Sequence, residues 1–218
     1  MLAIALAAVL CLVLHVSSFA VAGHAAGVTV REVALGWGPV LARIGKLRLR
    51  PVPVSGYVRF KDARAEPLEP GDTADAFDHQ PLGVQLAITL SGSLLLLVLA
   101  LSMLGADGLF AFASAFGQVI EGALSPLGAA QHLLAAGSAF AQAQPFALTL
   151  GLVAAKLAAV NLLPLPALNG GQALALVFGR FVQAPAALVK GLLLGSAALM
   201  ASWMVALGWF ALRALHVA

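Results

Sequence analysis

The stretch "NLLPLPALNGGQAL", Asn161 to Leu174, closes a long apolar run. Pro164, Pro166 and the pair Gly170–Gly171 each work against a continuous helix. Broken backbone at membrane depth is tolerated only where it is buried in protein or lines a cavity. Asn161 and Asn169 add polar groups that need partners there. The segment therefore shapes an internal site, whatever its chemistry.

The rest of the chain supplies the membrane. It has 218 residues, 61% hydrophobic and 10% charged, with a mean hydropathy of +1.00. Soluble domains carry about 25% charged residues. The composition therefore gives a polytopic membrane protein, a single membrane domain over residues 1–218. Cys11 is the single cysteine, inside an apolar run, and implies no disulfide framework. The basic pI does not point to nucleic acid. Eight of the twelve Lys and Arg fall between Arg31 and Arg64, and basic residues packed beside spans set orientation.

Four stretches have span length: about 2–22, 82–104 with the core "GSLLLLVLALSML", 146–163 and 186–212. Residues 109–141 are apolar but interrupted by Gly, Ser, Pro126 and Gln. They read as amphipathic or interfacial, with a fifth span as the alternative. The first span lacks a basic n-region, since Arg31 is the first Lys or Arg, yet "AVAG" resembles a cleavage site, so a signal peptide stays open. The loop after the first span holds seven Lys and Arg from Arg43 to Arg64, residues 105–145 hold none, and the loop after the third holds Arg180 and Lys190. That count puts the first and third loops in the cytoplasm and both termini outside. Within the first loop, 31–80, "KLRLRPVPVSGYVRF" alternates apolar and basic residues and reads as a β-hairpin or β-loop with one apolar face. The following "DARAEPLEPGDTADAFD" reads as an exposed linker.

The motif "N-x-x-P-x-P-x-L-N-G-G", Asn161 to Gly171, resembles the N-x-x-P-x-P-x-L-D-G-G segment of the site-2 protease family of intramembrane zinc metalloproteases. Further blocks follow in the family's order. "GVTVREVALGWGP" (27–39) resembles the segment after its first span. "PVSGYVRF" (53–60) resembles its membrane-associated β-loop. "QLAITLSGSLLLL" (85–97) resembles the start of its second span, and "LSPLGAAQHL" (124–133) its G-P-x-G segment. The resemblance implies an all-α core of about four transmembrane helices with a cytoplasmic β-loop. It leaves no room for a PDZ domain between the second and third spans, and it implies a bacterial inner membrane.

In that family the first span carries H-E-x-x-H. Two histidines four apart share a helix face and bind zinc, and the Glu is the general base. Counting back from Gly27–Val28 puts His15 at the first His, and the segment reads "HVSSF". Val16 then stands at the Glu, Phe19 at the second His, Asn169 at the Asp of L-D-G-G, and Gln172 where His often follows. Zinc sites use at least three His, Cys or carboxylate ligands. His15, Phe19 and Asn169 are remnant positions, and no zinc is expected. Val16 cannot take a proton. His24 is nine residues from His15, on the opposite side of a helix at about 100° per residue. His79, His132 and His216 are expected in loops or at the terminus.

Lys156 sits within the third span. Its ammonium either occupies the space of the lost metal, paired with carbonyls or Asn169, or snorkels to an interface. Asn161 could simply cap broken backbone, and Gly170 and Gly171 could simply permit a tight turn. The sequence favours a non-catalytic relative of the proteases that binds a membrane partner, such as another protein's transmembrane helix. Two rivals stay open: an active metalloprotease with atypical ligands, using zinc, and a small transport component using Lys156.

Overall fold

The structure, a computed structural model, describes residues 2–69, 71–179 and 185–217. Arg180, counted above, lies outside the described residues, as does the side chain of His216. The elements run α1 (Leu2–Ala25), β1 (Val30–Trp37), β2 (Ala42–Ile44), β3 (Leu47–Leu49), β4 (Val52–Phe60), α2 (Leu82–Leu104), α3 (Ala106–Leu124), α4 (Ala129–Ala143), α5 (Phe146–Asn161), α6 (Asn169–Phe178) and α7 (Ala186–Val217).

Helices α1, α2 and α7 are long and apolar enough to cross a membrane. Helix α5 is apolar but has 16 residues, about 24 Å against a hydrocarbon core of about 30 Å. It ends at Asn161 because Pro164 cannot continue it, and Asn161 Nδ2 donates to Leu157 O at 2.9 Å. Short as it is, α5 is the centre of the bundle. Ala154, Ala155, Ala158 and Ala159 are fully buried. With Cys11, Leu96 and Ala100, three of these alanines form the core cluster. A Cβ on Gly151 would lie 2.7 Å from Met103 Cβ. Small residues let helix backbones approach where lipid tails offer no hydrophobic gain.

Residues 109–141 fold as most of α3 and α4. Helix α3 joins the bundle: Ala111 and Phe112 pack on the core cluster and Ala115 is fully buried. His132 therefore sits in helix α4, not in a loop.

The first loop is a four-stranded sheet of order β2-β3-β1-β4. Strand β1 pairs antiparallel with β4 and parallel with β3. The hairpin expected within 46–60 is thus corrected, because β3 and β4 flank β1 instead of pairing with each other. Their two-residue connection is Arg50–Pro51. Two-residue hairpin turns need positive φ, which proline cannot adopt. The β2–β3 connection has Gly45 at φ 59 and does form a hairpin.

The segment after β4 was expected to be an exposed linker, but it folds back on the sheet. Lys61, 3% exposed, donates to Asp72 Oδ1 at 2.5 Å and Asp75 Oδ1 at 2.6 Å. Thr29 Oγ1 donates to Asp75 Oδ2 at 2.5 Å, and Phe77 stacks on Phe60. A buried ammonium draws acids to it, which overrides the linker's Pro-rich composition. Lys61 and then Thr29 hold the Asp75 carboxyl down at about 2, from an ordinary 3.8. Asp72 and then Asp75 raise Lys61.

The depressed carboxylate stabilises the clamp above its ordinary value, and that contribution is lost as pH falls through the folded one. Protection of the Asp75–Phe77 amides, measured against their intrinsic exchange rates, should be high at pH 5 and should fall between about pH 4 and 2. In Lys61→Met the same amides should show low protection at every pH in that range.

Candidate functional site

Three helices meet at His15. Helix α1 presents His15, 7% exposed, with Phe19 one turn on, their rings edge to face at 4.7 Å between centroids. Helix α6 begins with Asn169, 9% exposed. Helix α2 contributes Ser93, fully buried, beside Gly92. The Asn169 amide Nδ2 lies 3.2 Å from His15 Nε2 and donates to Ser93 Oγ at 3.3 Å. With the amide in this orientation His15 Nε2 is the acceptor, so its proton is on Nδ1. That Nδ1 has no hydrogen-bond partner. It lies against Gly92, where a Cβ would come within 2.5 Å of it. Only glycine fits between the ring and α2.

The helix break after Asn161 aims Asn169. Leu162 N donates to Ala158 O and Ala159 O, and Leu165 N to Leu163 O. Pro164 and Pro166 lie in this turn. The two glycines serve it differently from the tight-turn expectation, since neither has positive φ. Both lie in the first turn of α6. A Cβ on Gly170 would fall 2.1 Å from Leu162 O, and one on Gly171 2.1 Å from Leu165 O. Their role is close approach, which seats α6 on the break.

Val16 is fully buried. Strand β4 lies on it: a Cβ on Gly56 would come within 2.6 Å of Val16 Cγ2 and 2.8 Å of Ala34 O. Sequence reasoning missed Gly56 as a contact, and missed Gly92 and Ser93 as site residues. The run of small residues Ser91-Gly92-Ser93 within an apolar span was the available signal.

Lys156 does not reach this cluster. Its Nζ donates to Ala111 O at 2.8 Å, Ser114 Oγ at 3.1 Å and Gln118 Oε1 at 2.7 Å, all on α3. The expectation that it fills the metal's space or pairs with Asn169 is corrected, and so is snorkelling. A carbonyl does accept from it, but within the α3–α5 interface, where three donors find three acceptors. His24 is exposed in the last turn of α1. His79 lies beside Asp78.

A model of peptidase family M50 matches residues 3–202. The chain belongs to peptidase family M50, the site-2 protease family. No curated protein matches it. The match runs from α1 into α7, so this M50 chain, with its apolar helices, is an integral membrane protein.

The family implies zinc, and the residues present can be tested against it. Ligand atoms about 2.0–2.1 Å from a tetrahedral zinc stand about 3.3 Å apart. The 3.2 Å between His15 and Asn169 keeps that spacing. The donor chemistry does not fit, because the cluster offers one imidazole, one neutral amide, one hydroxyl and, at Phe19, carbon. Among the described residues no three His, Cys, Asp or Glu side chains group to hold a metal.

Two substitutions test this packing. Gly170→Ala should lower stability by about 1–3 kcal/mol through overpacking against Leu162. Lys156→Met should lower it by a similar amount, about 1–3 kcal/mol, by leaving Gln118 and Ser114 without their donor. Both are read as lowered thermal midpoints in detergent.

Proposed function

We propose that this M50 chain is a non-catalytic member of its family that binds a membrane partner, a single transmembrane helix, through the scaffold other members use for proteolysis. The observation that carries the reading is the cluster itself. His15, Phe19 and Asn169 converge, yet the cluster is closed by an amide–imidazole hydrogen bond and a phenyl ring. Beside it the place of a general base is Val16, sealed under β4. A missing general base alone costs about 10²–10⁴ in rate, and the neutral donors leave no strong site for the metal. The intact turn at Pro164, Pro166, Gly170 and Gly171 supports a retained scaffold. The basic first loop supports a cytoplasmic sheet and outward termini in a bacterial inner membrane.

The active-protease reading draws on the same 3.2 Å spacing, since the Asn169 amide turned over would offer Oδ1 to a metal. Metal analysis and cleavage, measured on the same purified chain, separate the two. The proposal expects substoichiometric zinc, unaffected by His15→Ala, and no cleavage of single-span substrates. Stoichiometric zinc lost in His15→Ala overturns it.

The retained scaffold is tested in the reverse direction. Phe19→His with Asn169→Asp is expected to bind zinc stoichiometrically. Adding Val16→Glu should raise cleavage by about 10²–10⁴ over that double variant.

A further inference from the structure

The sheet is a plate with two unlike faces. Cross-strand partners share a face. Val33 pairs with Val58, Leu35 with Gly56, and both pair with β3 at Leu47 and Leu49. Ile44 continues this row on β2. Through Gly56 the apolar face rests on α1, and beyond α1 it runs on uncovered: Ile44 is 66% exposed, as is Trp37 nearby.

The opposite face is basic. Arg48 pairs with Ala34 and Arg43 with Arg48, so two guanidinium side chains stand directly opposite each other. Such like-charge pairs are destabilising. Arg59 pairs with Glu32 on the same face. Arg48 reaches Glu32 at 2.9 Å and Arg59 stands 3.9 Å from it. Arg50 lies over the Tyr57 ring, donates to Gly38 O and Tyr57 Oη, and meets no carboxylate among the described residues. Its buried Nε has no partner. Of the four guanidinium groups only Arg48 and Arg59 reach Glu32, whose other oxygen accepts from Tyr57. Arg43 has no polar partner among the described residues.

We infer that this face binds the phosphate of an anionic phospholipid headgroup, with Arg43, Arg48 and Arg50 as donors. Arginine forks match phosphate oxygens in pairs. An anion between Arg43 and Arg48 turns their repulsion into attraction. Lipid is favoured over an acidic protein segment because the reverse face of the same thin sheet exposes Ile44, which suits hydrocarbon at the edge of a bilayer. An orienting role alone needs positive charge near the spans, not two arginines set directly opposite each other on a folded sheet.

The test is native mass spectrometry of the full chain in neutral detergent, titrated with short-chain phosphatidylglycerol, phosphatidylcholine or inorganic phosphate. The expected result is saturable phosphatidylglycerol adducts, several-fold stronger than phosphatidylcholine adducts and displaced only weakly by inorganic phosphate. Arg43→Gln should weaken them about fivefold, as should Arg50→Gln. Arg43 is exposed and unpartnered, so that variant keeps the fold. Lys190→Gln with Arg213→Gln, which removes two positive charges elsewhere against one in each single variant, should leave binding unchanged. Three results overturn the inference: equal retention of both lipids, binding that falls in the Lys190/Arg213 variant but not in Arg43→Gln, or displacement by polyglutamate at concentrations below those of the lipid.

Discussion

Backbone groups in a bilayer have no water to turn to, and every break in a helix must be answered by protein. The break after Asn161 is answered by α6, which comes close enough only because positions 170 and 171 lack a Cβ. The carbonyls of Leu162 and Leu165 lie 2.1 Å from where those atoms would be. From this contact the rest of the site follows. It fixes the start of α6, so Asn169 meets α1 at His15 and α2 at Ser93. Without it the three helices would share apolar contacts and no common polar centre.

That polar centre is small and nearly satisfied. A single amide joins three helices, and the energetics favour keeping it, since an unpaired polar group in hydrocarbon costs several kcal/mol. One atom, Nδ1 of His15, is left over. The spacing between imidazole and amide is that of two ligands on a tetrahedral ion, held by groups that together make a hydrogen bond instead.

Much of this was legible in the sequence, for definable reasons. Span-length hydropathy placed α1, α2 and α7, because apolarity over about 20 residues has few other uses. The resemblance to the site-2 protease motifs aligned His15, Phe19 and Asn169, because those motifs fix where the ligand positions stand along the chain. Other features depended on contacts between distant segments. Gly92 and Gly56 look like any glycine until a ring or a valine is found against them. The strand register was hidden because β1 inserts between two strands that are neighbours in sequence. The linker's fold was hidden too, because its Pro and acidic residues signal exposure unless a buried lysine such as Lys61 waits for them.

The lysine in the bundle carries one more consequence, about time. Its acceptors on α3 precede it in the chain, with Gln118 38 residues ahead. At about 5–20 residues per second of synthesis, the acceptor helix emerges about 2–8 s before the cation. The order matters because an isolated lysine is costly to insert, by about 2.5–3.5 kcal/mol at a helix centre. Here α5 reaches the insertion machinery with the helix that solvates its charge already made, so the cation need not enter the bilayer alone.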